Sequence, residues 1–288
     1  MSALIWQGPY DNVYVFSFSG TPGVGKSTAV TGLDETDFLQ EELEALYSCD
    51  EKKELVVLTV HEPSALWRDK GYLQAFYEDP KKNALAFQMI VFDTHVDAVQ
   101  AAIYPYKDRK DVTLVVLVER SMWDQLLFWK LQIDLKRNKD DILDDAAYMG
   151  IWNKWNLYLP PVRKIFYCKT SHIQKTMKRI QNRARREEMG ISQSGQSIPN
   201  DLLPQPQAAG GGEEPIIESV GGLSLTYMTA LREKHDAWYT EPHAQLQTSS
   251  SQHILCKHID MDLPYHNDVM HLRELAKLLA GEIVGFLN

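Results

Sequence analysis

The stretch Val13-Tyr14-Val15-Phe16-Ser17-Phe18-Ser19-Gly20-Thr21-Pro22-Gly23-Val24-Gly25-Lys26-Ser27-Thr28 decides the fold. A β-branched and aromatic run leads into three spaced glycines, then Lys-Ser-Thr, then a helical pattern. Strand, glycine-rich loop, helix is the order that a phosphate-binding P-loop needs. Glycines let successive backbone N–H groups turn inward and ring an anion. Lys26 reaches terminal phosphates as a point charge, and Ser27 offers a hard oxygen to Mg²⁺. The bland alternative is a glycine-rich turn between strand and helix. The Lys-Ser-Thr that follows and the flanking pattern favour a nucleoside triphosphate site formed by Gly20, Thr21, Pro22, Gly23, Val24, Gly25, Lys26, Ser27 and Thr28.

The 288 residues suit one large domain over 1–288, or a domain carrying an insertion. Apolar residues make up 44%, enough for a substantial core. With 30 basic and 39 acidic side chains the net charge is −9, which argues against general binding to nucleic acid or anionic membrane. Any basic site must be a local pocket. Cys49, Cys168 and Cys256 are far apart, and two lie in apolar strand-like runs. That reads as buried reduced thiols and a cytoplasmic protein, with a nuclear location also compatible. No apolar run reaches transmembrane length, and no signal or transit segment is visible.

Five short apolar runs read as buried parallel strands: 13–19, 55–60, 112–118, 162–168 and 253–259. Helical patterns separate them, at 84–102, 122–135, 171–188, 225–240 and 268–287. Alternating strands and helices predict an α/β three-layer fold with a five-stranded parallel sheet and helices on both faces. Ligands in such sheets sit beyond the carboxyl ends of the strands. The segment 189–222 breaks the rhythm. It holds seven glycines and four prolines, and reads as a flexible insertion.

The strand ends carry the chemistry. His61-Glu62-Pro63 follows the second strand, and a carboxylate there can act as general base toward a substrate hydroxyl. Taken alone, such a glutamate as readily caps a turn, and Trp67 beyond it as readily belongs to the core. Glu119-Arg120-Ser121 follows the third strand, where P-loop enzymes hold Mg²⁺ on a carboxylate. Arg120 can face a transferring phosphoryl group; the alternative is a surface ion pair. After the fourth strand come Arg179 and Arg183, four apart on one helical face, then Arg185. A solvated charged face is the usual reading of such a run. Next to a flexible segment it also fits a lid that brings arginines over phosphates. Gln88 stands on a long apolar helix, where a buried amide needs partners and can pair with a nucleobase edge.

In this order the motifs resemble the deoxynucleoside kinase family, which includes deoxycytidine, deoxyguanosine, mitochondrial thymidine and insect multisubstrate kinases. The resemblance runs over about 13–263, apart from the insertion. It rests on the P-loop, Glu62-Pro63 with Trp67, Tyr77-Glu78-Asp79-Pro80 ahead of Phe87-Gln88, Glu119-Arg120-Ser121, the arginines with Glu187-Glu188, and Leu225-Thr226-Tyr227-Met228 running to His235-Asp236-Ala237-Trp238. It implies a P-loop kinase fold with an arginine-rich lid, Mg²⁺ with ATP as phosphoryl donor, a deoxynucleoside 5′-hydroxyl as acceptor, and a homodimer. Residue by residue it implies Glu62 as base and Arg120 holding the hydroxyl and phosphoryl group. Tyr77 and Glu188 would take the sugar 3′-hydroxyl, and Gln88 the nucleobase. Trp67, Phe87 and Trp129 would wall the base pocket, Trp129 standing where the family usually has Phe. Ser27 and Glu119 would serve Mg²⁺, and Arg179, Arg183 and Arg185 the phosphates. The loop at 260–264 resembles the one that flanks the donor adenine. Relatives that prefer deoxycytidine or purines carry an Arg and an Asp where this chain has His95 and Gln125, so a pyrimidine substrate, thymidine or deoxycytidine, or a broad specificity, is favoured.

Two rivals stand beside this reading. A nucleoside monophosphate kinase such as thymidylate kinase shares the P-loop and arginine lid, but its acceptor is a phosphate that needs cations; Glu62-Pro63 points to a hydroxyl. A GTPase switch would use Asn138-Lys139-Asp140-Asp141 to read guanine, yet that run follows a charged helical stretch and no Asp-x-x-Gly follows a strand. Zinc is disfavoured, because His253 and His258 diverge on a strand and no second ligand pair has the usual spacing.

Overall fold

Alternation along the central strands sets the layers. In β1 (Val13–Ser19), Phe16 and Phe18 point to one face and Val13 and Val15 to the other. The computed structural model describes residues 6–47, 53–135, 141–183, 216–220, 223–240, 255–263, 265 and 268–287. After β1 come α1 (Lys26–Asp34), α2 (Phe38–Leu46), β2 (Glu54–Val60), α3 (Ser64–Asp69), α4 (Tyr72–Glu78) and α5 (Pro80–Ile103). Then follow β3 (Val112–Glu119), α6 (Met122–Asp134), α7 (Asp141–Asn156), β4 (Val162–Lys169) and α8 (Ile173–Arg183). A hairpin of β5 (Ser219–Val220) and β6 (Leu223–Ser224) leads to α9 (Leu225–Thr240), β7 (Leu255–Asp260) and α10 (Val269–Ile283).

β1, β2, β3, β4 and β7 form one parallel sheet in the order β2-β3-β1-β4-β7. On one face Phe16, Phe18, Leu117 and Phe166 meet Ala29 of α1, Leu43 of α2 and Leu279 of α10. On the other, Val15, Val116 and Val118 meet Val99 and Ile103 of α5, while Ile165 and Tyr167 meet α6, α7 and α9. The expected three layers and five parallel strands are therefore present. Register places Val60 opposite Val118 and Phe18 opposite Glu119, so Gly20, Glu62 and Arg120 emerge at one carboxyl edge.

Some expectations shift. The helix expected from 84 starts at Pro80, where Asp79 accepts the Lys82 N–H at 3.2 Å and proline fills the first turn. Six-residue α3 and seven-residue α4 are too short to show a period, so the sequence hides them. Ile217, inside the 189–222 segment, exchanges bonds with the Gln174 side chain of α8, and Val220 is buried against that helix. This described end of the insertion is therefore packed structure, and most of the rest lies outside the described residues, as does the guanine-reading rival's Asn138-Lys139-Asp140. Cys168 is buried, but Cys256 is exposed because β7 is an edge strand, which corrects the expectation of buried thiols. No helix among the described residues is long and apolar enough to cross a membrane.

Candidate active site

Gly23 and Gly25 adopt φ of +74° and +112°, backbone that favours glycine. Gly25 is also the N-cap of α1 and supplies no side-chain cap, so the first N–H groups of that helix face the site with the positive end of its dipole. Lys26 is buried and donates to the carbonyls of Gly20 at 2.9 Å and Thr21 at 3.0 Å. Burial, reinforced by the Arg120 charge, pulls its ammonium down to about 8, so it favours an arriving anion.

Glu62 and Arg120 meet just beyond the paired carboxyl ends of β2 and β3. Arg120 Nε lies 2.9 Å from Glu62 Oε1, with its N–H off the line to the oxygen, so the contact is ionic rather than an aligned hydrogen bond. Arg120 Nη1 also donates to Gly20 O at 3.0 Å, and the guanidinium stands 4.7 Å over the Phe128 ring. Arg120 has φ +68°, unique among described non-glycine residues. Such backbone costs ~1–3 kcal/mol and persists where the surroundings dictate it, often at reaction sites. Burial lifts the Glu62 carboxyl above its ordinary range, opposed by Arg120 and assisted by the negative Glu119. That direction suits a base.

Glu119 accepts a hydrogen bond from Ser27 Oγ and lies 3.7 Å from His61 Nδ1. Burial opposes its charge, but His61, Lys26, Ser27 and Arg120 together hold the carboxyl well below its usual range. One ionised carboxylate beside one hydroxyl is a hard-oxygen pair that fits Mg²⁺, whose other positions phosphate oxygens and water fill.

Two cavities open on this edge. The first is lined by Glu62, Trp67, Tyr77, Phe87, Gln88 and Arg120, as expected, and also by Phe76, Gln125, Phe128 and Tyr227. Phe76 stacks on Phe87 at 4.9 Å, and Trp67 meets Phe87 edge-on at 5.9 Å. Gln88 Oε1 and Gln125 Nε2 are buried there without partners. An orphaned buried amide atom costs ~1–3 kcal/mol, so a polar edge presented in this cavity would find both unpaired. Trp129 does not join this wall, which corrects the expectation. Gln125 and Phe128, three apart on α6, face the cavity; Trp129 is turned away, stacks on Tyr148 at 4.8 Å and donates Nε1–H to Asp145 at 2.8 Å. The second cavity is lined by Arg179, Arg183, Met261, Leu263 and Tyr265. Gly23, Lys26, Ser27 and Arg183 line both, so the P-loop is their common wall. Arg179 donates to Val24 O and Met261 O, each at 2.7 Å, and so clamps the P-loop to the loop after β7. Arg185 and Glu188 lie outside the described residues.

The residues that sequence reasoning missed are Phe76, Gln125 as a wall residue, Phe128 and Tyr227. Phe128 had a signal: it is three positions from Gln125 and eight from Arg120. Phe76 sits on the short α4, where no period showed its face.

A family model described as deoxynucleoside kinase matches residues 16–194. The chain belongs to the deoxynucleoside kinase family. The kinase is thus a phosphotransferase with a nucleoside acceptor, and the family implies ATP with a divalent metal. No curated protein sequence matches it. Among solved structures it is similar in fold to the deoxyadenosine kinase from M. mycoides with products dCMP and a flexible dCDP bound. The TM-score is 0.55 at 17% identity, over 93% of this chain and 100% of that one.

Proposed function

We propose that this kinase transfers the γ-phosphoryl group of ATP to the 5′-hydroxyl of a pyrimidine deoxynucleoside, thymidine or deoxycytidine, in deoxynucleoside salvage. The observation that carries the reading is the shared wall: Glu62 and Arg120 line an aromatic cavity whose floor is the P-loop, and the P-loop also borders the second cavity. The nucleoside takes the aromatic cavity, its base between Trp67, Phe87 and Phe128, its edge paired with Gln88 and Gln125, and its 3′-hydroxyl toward Tyr77. ATP takes the second, its adenine near Met261, Leu263 and Tyr265 and its phosphates on the P-loop N–H groups, Lys26 and Arg183. Glu62 takes the 5′-hydroxyl proton, and Arg120 holds that hydroxyl and the charge that develops on the phosphoryl oxygens. Mg²⁺ held by Ser27 and Glu119 would neutralise phosphate charge. Most of the rate comes from positioning and charge stabilisation.

The pyrimidine preference rests on Gln125, which lines the cavity, and on His95, which is buried but does not line it. Burial brings the His95 imidazole down to about 4, so neither residue supplies a fixed charge. Neutral amides then read the base. The test is kcat/KM for the four deoxynucleosides with saturating ATP. Thymidine or deoxycytidine should exceed both purines by about tenfold or more, within what a pocket contact supplies. A purine ranked first overturns the preference.

A further inference from the structure

We infer that Asp124, which no motif singled out, is a positioning residue for phosphoryl transfer. It sets the distance between Arg120 and the start of the P-loop and ties both to α9. The inference rests on the proposed role of Arg120.

Asp124 is wholly buried, a rare place for a carboxylate without several partners. One oxygen, Oδ2, accepts the Ser121 N–H at 2.9 Å and the Ser121 hydroxyl at 3.2 Å, which closes a capping box on α6. The cap alone uses only half of the group. The other oxygen, Oδ1, accepts from Ser19 Oγ and lies 3.9 Å from Arg120 Nη1 and 3.6 Å from His235 Nε2. Ser19 is the last residue of β1, directly before Gly20, whose carbonyl receives both Lys26 and Arg120. His235 Nδ1 is 2.7 Å from Leu231 O, which leaves Nε2 turned to the carboxylate. One carboxylate thus joins the P-loop entry, the strained Arg120, the N-terminus of α6 and the helix that contributes Tyr227 to the nucleoside cavity.

The charge matters more than the shape. Arg120 sits between two carboxylates, Glu62 at 2.9 Å and Asp124 at 3.9 Å. Asp124 pulls on the guanidinium at Nη1 while Glu62 pulls at Nε, and so fixes how far it leans toward Glu62. An amide in its place keeps the cap by turning its oxygen to Ser121, but then directs an N–H₂ at Arg120 and His235. Arg120 loses the carboxylate beside Nη1, and its strained backbone loses part of what dictates it.

The test compares Asp124→Asn with Tyr239→Phe. Tyr239 also bonds Ser19 Oγ, at 2.9 Å, so its loss disturbs the same buried junction without touching the charge. Asp124→Asn should lower kcat by about 10- to 100-fold, the range for a charge-assisted contact, with nucleoside KM within about threefold. Tyr239→Phe should lower the Tm to a similar degree and leave kcat within about threefold. If Asp124→Asn does not fold, His235→Gln reads the same link from α9 and should lower kcat about 3- to 10-fold at unchanged KM. Wild-type kcat in whichever of these two variants folds, or equal kcat losses in Asp124→Asn and Tyr239→Phe, overturns the inference. Arg120→Lys separates the two readings: if it keeps full kcat, the proposed role of Arg120 fails whatever Asp124 does.

Discussion

Replacing Glu62 by Gln removes a base and leaves a shape. The side chain keeps its length and its place at the mouth of the nucleoside cavity, about four-fifths covered. Arg120 keeps the Gly20 carbonyl at 3.0 Å and Asp124 at 3.9 Å, so it is not stranded when Glu62 becomes neutral. Burial raises the Glu62 carboxyl, which means that the fold bears a cost for its charge. The amide is relieved of that cost, so Tm should hold or rise slightly, as at other sites where function strains stability. A positioned base is worth ~10²–10⁴-fold, or ~3–5 kcal/mol of barrier. Steady-state ADP release with saturating ATP should therefore show kcat down by that factor and nucleoside KM within about threefold. A kcat within about threefold of wild type would remove Glu62 from the reaction, and KM rising in step with the loss would make it a binding residue.

Three further outcomes follow from the geometry. In Gly23→Ala the new Cβ would overlap Ile180 Cγ1 and lie 3.1 Å from Thr176 O, at φ +74°; it should destabilise by ~1–3 kcal/mol and raise ATP KM, and an unchanged melting curve would contradict the packing of α8 on the P-loop. His95 has a folded pKa of about 4 against 6.5 ordinarily, so the unfolded chain gains its proton first as pH falls. Stability should drop between about pH 6.5 and 4 by up to ~3 kcal/mol, and His95→Gln should flatten that slope in denaturant titrations; parallel slopes would show that His95 is not buried neutral. Phe128→Ala should raise nucleoside KM about tenfold or more, whereas Trp129→Phe should cost ~1–2 kcal/mol of stability and leave KM alone; the reverse pattern would return Trp129 to the base pocket.

The parallel sheet was legible because its central strands β1 and β3 are almost wholly buried and its strands read as short apolar runs; four of the five began within one residue of the expected place. Glu62, Lys26 and Arg120 were legible because a strand's carboxyl end fixes where the next residue emerges. What the sequence hid lies on helices, where one residue's rotation decides between wall and core. Phe128 and Trp129 are neighbours of like chemistry, and only the packing of α6 against α7 separates their roles. Asp124 was hidden for another reason. Its partners Ser19 and His235 are 105 and 111 residues away, and no local pattern announces a buried carboxylate shared by four elements.

Where the phosphoryl group lands is decisive. With ATP and deoxycytidine or thymidine as the only other reactants, phosphorus NMR and chromatography of the product decide it. The expected product is the 5′-monophosphate with one ADP per nucleoside consumed, and the 5′-deoxy analogue should give none. Phosphate on the 3′-oxygen, or ADP formed equally fast with the 5′-deoxy analogue, would contradict a hydroxyl held between Glu62 and the P-loop.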